Sequence, residues 1–203
     1  MPTLPRRRGI EAANRGWPTV VDARPAWPVL DLVSNSAAQT REIGARLGRR
    51  LRTGDLVLLH GDLGAGKTTL AQGIARGLGV ADAVQSPTFT LVSEHPTVAD
   101  GHPSGDGGAD GDRPAHLYHL DLYRLSGDGE LDSFGFDDYL APADGVALVE
   151  WPERAASRLP PAYLLVRLEP LGDGKRRLAI EAVPPGGRYA WLGELRRELS
   201  GAG

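Results

Sequence analysis

Short apolar runs alternate along this chain with apolar stripes spaced for helices. Leu30-Asp31-Leu32-Val33 predicts a short first strand. Ser36, with Gln39 three residues on, has the form of a helix capping box. Ile43, Leu47 and Leu51 then fall on one helical face, and Gly54 suits its stop. Leu56-Val57-Leu58-Leu59 reads as a buried strand, and Leu70, Ile74 and Leu78 form the next helical stripe, closed by Gly79. Further strands are expected at Phe89–Ser93, Leu117–Leu120 and Gly145–Val149. Tyr163–Leu168 and Arg177–Val183 alternate as a hairpin around Gly172-Asp173-Gly174. Trp191, Leu195 and Leu199 carry the pattern of a closing helix, and no internal repeat is visible.

Composition sets the bounds of this pattern. A length of 203 residues suits one domain with a core that needs no staples. Residues 1–33 are interrupted by Pro2, Pro5, Pro18, Pro25 and Pro28 and read as a poorly ordered arm. Residues 34–183 read as the folded domain and 184–203 as a tail holding the closing stripe. Pro96 to Pro114 contains five Gly, four Asp and three Pro, too little apolar surface to order itself. The 96–114 segment is therefore expected to be a flexible insertion at a hairpin tip. Arg6, Arg7 and Arg8 are followed by no apolar stretch, so no secretory signal is expected. No run approaches the ~20 apolar residues of a membrane span. The absence of cysteine excludes disulfides and thiolate metal sites, and a cytoplasmic setting fits. A formal charge of −3 argues against strong autonomous binding to nucleic acid, so any service to RNA would run through a partner.

The chemistry centres on Gly61-Asp62-Leu63-Gly64-Ala65-Gly66-Lys67-Thr68, a complete G-x-x-x-x-G-K-[ST] phosphate-binding loop. Glycines in such a loop let successive backbone N–H groups turn inward around phosphate oxygens. The lysine reaches the outer phosphates, and the following hydroxyl helps to hold Mg²⁺. Lys67 and Lys175 are the only lysines among 23 basic residues, so a strong preference for arginine spares this position. A compact ammonium on a flexible stem is not reproduced by a planar guanidinium. The strand pattern before the loop and the helix pattern after it are the context the motif requires. Together they predict an α/β fold of P-loop NTPase type, with a mixed, mainly parallel central sheet flanked by helices.

Hydrolysis also needs acid groups to organise Mg²⁺ and the attacking water. Two apolar runs end in carboxylates: Leu117-Tyr118-His119-Leu120-Asp121, which resembles a Walker B strand, and Val146-Ala147-Leu148-Val149-Glu150. In an open α/β sheet the carboxyl ends of strands form the ligand crevice, which makes Asp121 and Glu150 candidates. Ser86-Pro87-Thr88 lies where a nucleotide-sensing switch would sit, although such a tripeptide taken alone is more often a turn. Trp151 either packs over the site or caps the core. His60 and His119 read as strand residues without a clear partner. The only asparagines, Asn14 and Asn35, precede the loop, so no downstream Asn-Lys-x-Asp guanine motif exists and adenine is favoured.

Four motifs in order resemble the TsaE family, the bacterial ATPases of tRNA threonylcarbamoyladenosine biosynthesis. They are the phosphate loop through Thr69, Ser86-Pro87-Thr88-Phe89-Thr90-Leu91-Val92, His119-Leu120-Asp121-Leu122-Tyr123-Arg124-Leu125 and Val149-Glu150-Trp151. The resemblance covers about residues 34–182. It implies ATP and Mg²⁺, with Thr68 and Glu150 at the metal, Asp121 as the Walker B acid, Thr88 as a switch residue and Trp151 at the site. It also implies a TsaB–TsaD partner complex, in which TsaD transfers the threonylcarbamoyl group to tRNA while hydrolysis here resets the complex. Two rival readings stay open on the residues alone: a small-molecule P-loop kinase, and a subunit that senses ATP without hydrolysing it.

Overall fold

The computed structural model of the chain describes residues 30–98 and 113–200. The rest of the arm, 1–29, and the bulk of the Gly/Asp-rich segment, 99–112, lie outside the described residues.

Strand β1 (Leu30–Ser34) leads into α1 (Ala37–Gly48), β2 (Leu56–His60) and α2 (Lys67–Leu78). Strands β3 (Val92–Pro96) and β4 (His116–Asp121) follow, then the short α3 (Asp128–Asp132) and β5 (Gly145–Glu150). A long hairpin of β6 (Tyr163–Gly172) and β7 (Lys175–Val183) precedes α4 (Leu192–Ser200). The strands make one sheet in the order β1-β7-β6-β2-β5-β4-β3. Its centre, β6-β2-β5-β4, is parallel throughout, and antiparallel pairs with β7 and β3 lie outside it. The mixed sheet with a parallel centre is the one expected. The apolar runs explain the centre, because parallel strands are covered on both faces. All six residues of β5 are buried, as are Leu56 to Leu59 of β2.

Alternate residues sort into two cores. Val57, Leu59, Leu117, Val146 and Leu148 face α1, α2 and α4. Leu56, Leu58, Leu120, Ala147 and Val149 face α3 and the short 3₁₀ turns at Phe136–Tyr139 and Pro152–Ala155. Helices α1 and α2 meet at four glycines. A Cβ on Gly44 would stand 2.6 Å from Leu70 O, and one on Gly48 2.2 Å from Ile74 O. From the other helix, a Cβ on Gly73 would stand 2.3 Å from Arg41 O and one on Gly77 2.3 Å from Ala45 O. These G-x-x-x-G pairs face each other and let the backbones touch.

Local expectations hold with three corrections. Ser36 Oγ accepts the Gln39 N–H at 3.1 Å, but the Gln39 side chain reaches back to the N–H of Asn35, one residue earlier than a capping box requires. Helix α1 ends at Gly48, where the Arg49 N–H bonds Ala45 O, and Gly54 instead donates to Gly145 O in the turn before β2. Residues 89–91 are not strand. Thr90 and Leu91 both donate to Pro87 O, Leu91 has φ +65°, and Phe89 is 83% exposed, so pairing starts only at Val92. Pro87 supplies the turn that delays it.

Candidate functional site

The phosphate loop leaves the carboxyl end of β2, between β6 and β5, and closes where α2 begins. Two glycines fix its shape. At Gly61, φ is +152° and a Cβ would stand 2.4 Å from Leu168 O of β6. At Gly66, φ is +103° and a Cβ would meet the Arg176 side chain of β7 at 2.4 Å. Larger residues at either place meet both backbone strain and a collision. Arg176 braces the same turn by donating Nε–H to Ala65 O at 3.1 Å. Asp62, Leu63 and Gly64 stay exposed at the tip, Ala65 is buried, and Thr69 lies half-buried in the first turn of α2.

Lys67 is 5% exposed and folds back over the loop. Its Nζ donates to Gly61 O at 2.7 Å and Asp62 O at 2.9 Å, and lies 3.7 Å from the centre of the Trp151 ring. Burial pushes this ammonium below its ordinary pKa, opposed by Glu150, Glu153, Asp121 and Asp62. Trp151 follows β5 with φ +61°, donates its N–H to Leu59 O at 3.3 Å, and packs against Tyr123 with centroids 4.9 Å apart. It therefore does both: it covers the lysine and packs against the second core.

Parallel pairing sets Asp121 beside Glu150 at the ends of β4 and β5. Both are nearly buried, at 3% and 2% exposure. Thr68 Oγ1 on α2 lies 3.1 and 3.2 Å from the two Glu150 oxygens. Asp121 Oδ2 accepts hydrogen bonds from Ser86 Oγ and, at 2.8 Å, from Thr88 Oγ1; its Oδ1 accepts the Tyr123 N–H at 3.0 Å. Ser86 and Thr88 are themselves 2.8 Å apart. The segment before β3 is thus tied to the acid at the end of β4. Contacts and strand pairing thus link Thr68 to Glu150, Glu150 to Asp121, Asp121 to Thr88, and Lys67 to Trp151 at the carboxyl end of the sheet.

Both histidines have partners that the sequence reading did not find. His119 is fully buried, with Nε2 3.0 Å from Glu150 Oε1. Its position two residues before Asp121, on the same strand face, was the available signal. His60 Nε2 lies 3.9 Å from Glu153 Oε2, and burial pushes its pKa down.

A family model described as "Threonylcarbamoyl adenosine biosynthesis protein TsaE" matches residues 34–178. The chain belongs to the TsaE family. Membership places it in the biosynthesis of tRNA threonylcarbamoyladenosine. Proteins named tRNA threonylcarbamoyladenosine biosynthesis protein TsaE are similar over most of the domain. That of Streptomyces coelicolor is 44% identical over 130 residues, 64% of this chain and 78% of the relative. That of Bacillus subtilis is 37% identical over 77% of this chain and 86% of its own. The Treponema pallidum protein is 36% identical over 73% of this chain and 97% of its own. The crystal structure of Bacillus subtilis YdiB superposes with a TM-score of 0.60 at 31% identity, covering 85% of this chain and 96% of that one. Among the described residues, no helix of this TsaE chain is long and apolar enough to cross a membrane.

Proposed function

We propose that this chain binds ATP with Mg²⁺ and hydrolyses it in support of tRNA threonylcarbamoyladenosine formation by a TsaB–TsaD-type partner complex in the cytoplasm. The observation that carries the reading is the contact of Thr68, the last residue of the phosphate-loop motif, with Glu150 at the end of β5. A hydroxyl and two carboxylates form an oxygen donor set suited to a hard cation. Among the described residues, no three His, Asp or Glu side chains converge to hold an ion by themselves. In phosphate sites Mg²⁺ takes one or two carboxylates and completes its shell with substrate oxygens and water.

Thr68 and Glu150 would hold the ion, with Asp121 beside them. Bound there, Mg²⁺ would neutralise charge developing on the phosphate oxygens. The loop from Gly61 to Gly66 presents backbone N–H groups to the phosphates. Lys67 exchanges its bonds to Gly61 O and Asp62 O for phosphate oxygens, under the cover of Trp151. Glu150 and Asp121 are the two carboxylates available to orient attacking water. Because Thr88 and Ser86 share Oδ2 of Asp121, a change at that acid is felt by the loop running to the exposed Phe89. Thr88 is therefore the switch residue of this reading. With a formal charge of −3, the chain would meet tRNA through its partners.

The test is to purify the chain with candidate TsaB and TsaD proteins and follow ATP hydrolysis and repeated tRNA modification together. Both should require this chain, and both should be lost in Lys67→Ala. Glu150→Ala and Asp121→Ala should abolish hydrolysis and repeated modification while the fold survives. Indifference of both activities to the chain would overturn the proposal. Full tRNA modification by the acid variants, with Lys67→Ala dead, would make it an ATP sensor instead.

A further inference from the structure

We infer that His119 is a positioning residue for the metal site, holding Glu150 in the orientation that meets Thr68. The inference rests on the reading of Glu150 as a Mg²⁺ ligand. Its basis is the placement of three groups. Pairing of β4 with β5 sets His119 opposite Leu148 and Asp121 opposite Glu150, so all four side chains leave the same face of the sheet, towards α2. The imidazole therefore sits diagonally behind the carboxylate, deeper in the sheet, while Thr68 meets it from the helix. Nε2 lies 3.0 Å from Oε1, and Thr68 Oγ1 lies 3.1 Å from the same oxygen. A Glu side chain has three rotatable bonds; Oε1 held by His119 and Thr68 together, with Thr68 also 3.2 Å from Oε2, restricts them.

The rest of the ring shows that packing alone does not account for a histidine here. His119 has no exposed surface, and its Nδ1 has no hydrogen-bond partner. On the sheet it stands between Leu148 of β5 and Ser93 of β3, with Leu117 two residues before it and His95 close by on β3. A leucine would fill such a site without leaving a ring nitrogen unsatisfied, which is costly in a dry interior. The nitrogen that is satisfied is the one aimed at Glu150. Groups that hydrogen-bond a metal-ligating carboxylate fix its orientation, and losing them costs about 10–100-fold in metal affinity or activity.

Mn²⁺ serves as the probe, its free concentration read by electron paramagnetic resonance with the full chain and saturating ADP. Nucleotide affinity is measured separately in EDTA, and folding by thermal melting. His119→Leu should weaken Mn²⁺ binding about 10–100-fold while leaving metal-free ADP affinity within about twofold. His119→Gln, whose amide N–H can reach the same oxygen, should recover most of the loss. His119→Met, which also lacks a donor, serves as the test variant if the leucine variant does not fold. In a Glu150→Gln background, His119→Leu should add little further. Unchanged Mn²⁺ affinity in a folded His119 variant that lacks a donor would overturn the inference, as would an equal fall in Mn²⁺ and metal-free ADP affinity. Glu150→Gln alone separates the two readings. If it leaves Mn²⁺ affinity intact, the metal-site reading fails first; if it destroys affinity and His119→Leu does not, only the positioning role fails.

Discussion

Replacing Gly77 by alanine should destabilise the domain, against the intrinsic preference of a helix. Alanine is favoured over glycine in a helix interior by about 1 kcal/mol, so propensity alone predicts a gain. The structure reverses the sign. A Cβ on Gly77 would lie 2.3 Å from Ala45 O, 2.9 Å from Ala45 C and 2.9 Å from Gly48 Cα, all backbone atoms that cannot rotate away. To reach even 3.0 Å the two helices must part, and α2 cannot shift without moving the phosphate loop at its start. Overpacking costs about 1–3 kcal/mol, and rigid backbone places this site at the upper end. Subtracting the propensity gain leaves a net loss of about 2 kcal/mol, or a fall in Tm of about 4–8 °C for a domain of this size. Gly193, in the first turn of α4, is the control, because a Cβ there meets nothing within 4 Å. Gly193→Ala should raise Tm by up to about 3 °C. Differential scanning calorimetry on both variants decides the matter. A Tm for Gly77→Ala at or above the parent would refute the reasoning, because α1 would then be free to yield.

Three other outcomes follow from the same geometry. Ser36→Ala removes the side-chain acceptor for the Gln39 N–H and should cost about 1 kcal/mol in chemical denaturation. Burial pushes the Asp55 carboxyl above its ordinary pKa, despite the Arg52 N–H and the Arg188 guanidinium. A carboxyl raised in the fold weighs against stability above its folded pKa, and that penalty fades as pH falls through it. Asp55→Asn should therefore gain Tm over the parent at pH 7 and lose that advantage in acid; the opposite trend would mean that the Arg188 ion pair outweighs burial. Arg176→Ala removes the donor to Ala65 O and the packing on Gly66. It should weaken ATP binding by about fivefold, near 1 kcal/mol, in a fluorescent-nucleotide titration, with little change in Tm.

How much of this was legible depended on whether the cause was local. The phosphate loop, the strand before it and the helix after it could be read from eight residues and two apolar runs. Asp121 and Glu150 could be read as strand-end acids, because a buried run ending in a carboxylate places that carboxylate at the carboxyl end of its strand. Phe89 to Leu91 misled, since their apolar pattern fits a strand while Pro87 O draws two of their N–H groups into a turn. His119 looked like an isolated strand residue because its partner is 31 positions away in sequence.

The sequence by itself determined the alternation of helix and strand, the phosphate loop and the four-motif series that marks the TsaE family. Each is written in neighbouring residues, where backbone chemistry acts directly. Only the tertiary structure decided that Asp121 and Glu150 are adjacent, that Thr68 and His119 meet at the same oxygen of Glu150, and that Trp151 covers Lys67. It also decided that α1 and α2 approach closely enough to need glycine. Those facts depend on strand order and helix packing, which join positions far apart in the chain. Spacing along the chain carries no distance between them until the sheet has formed.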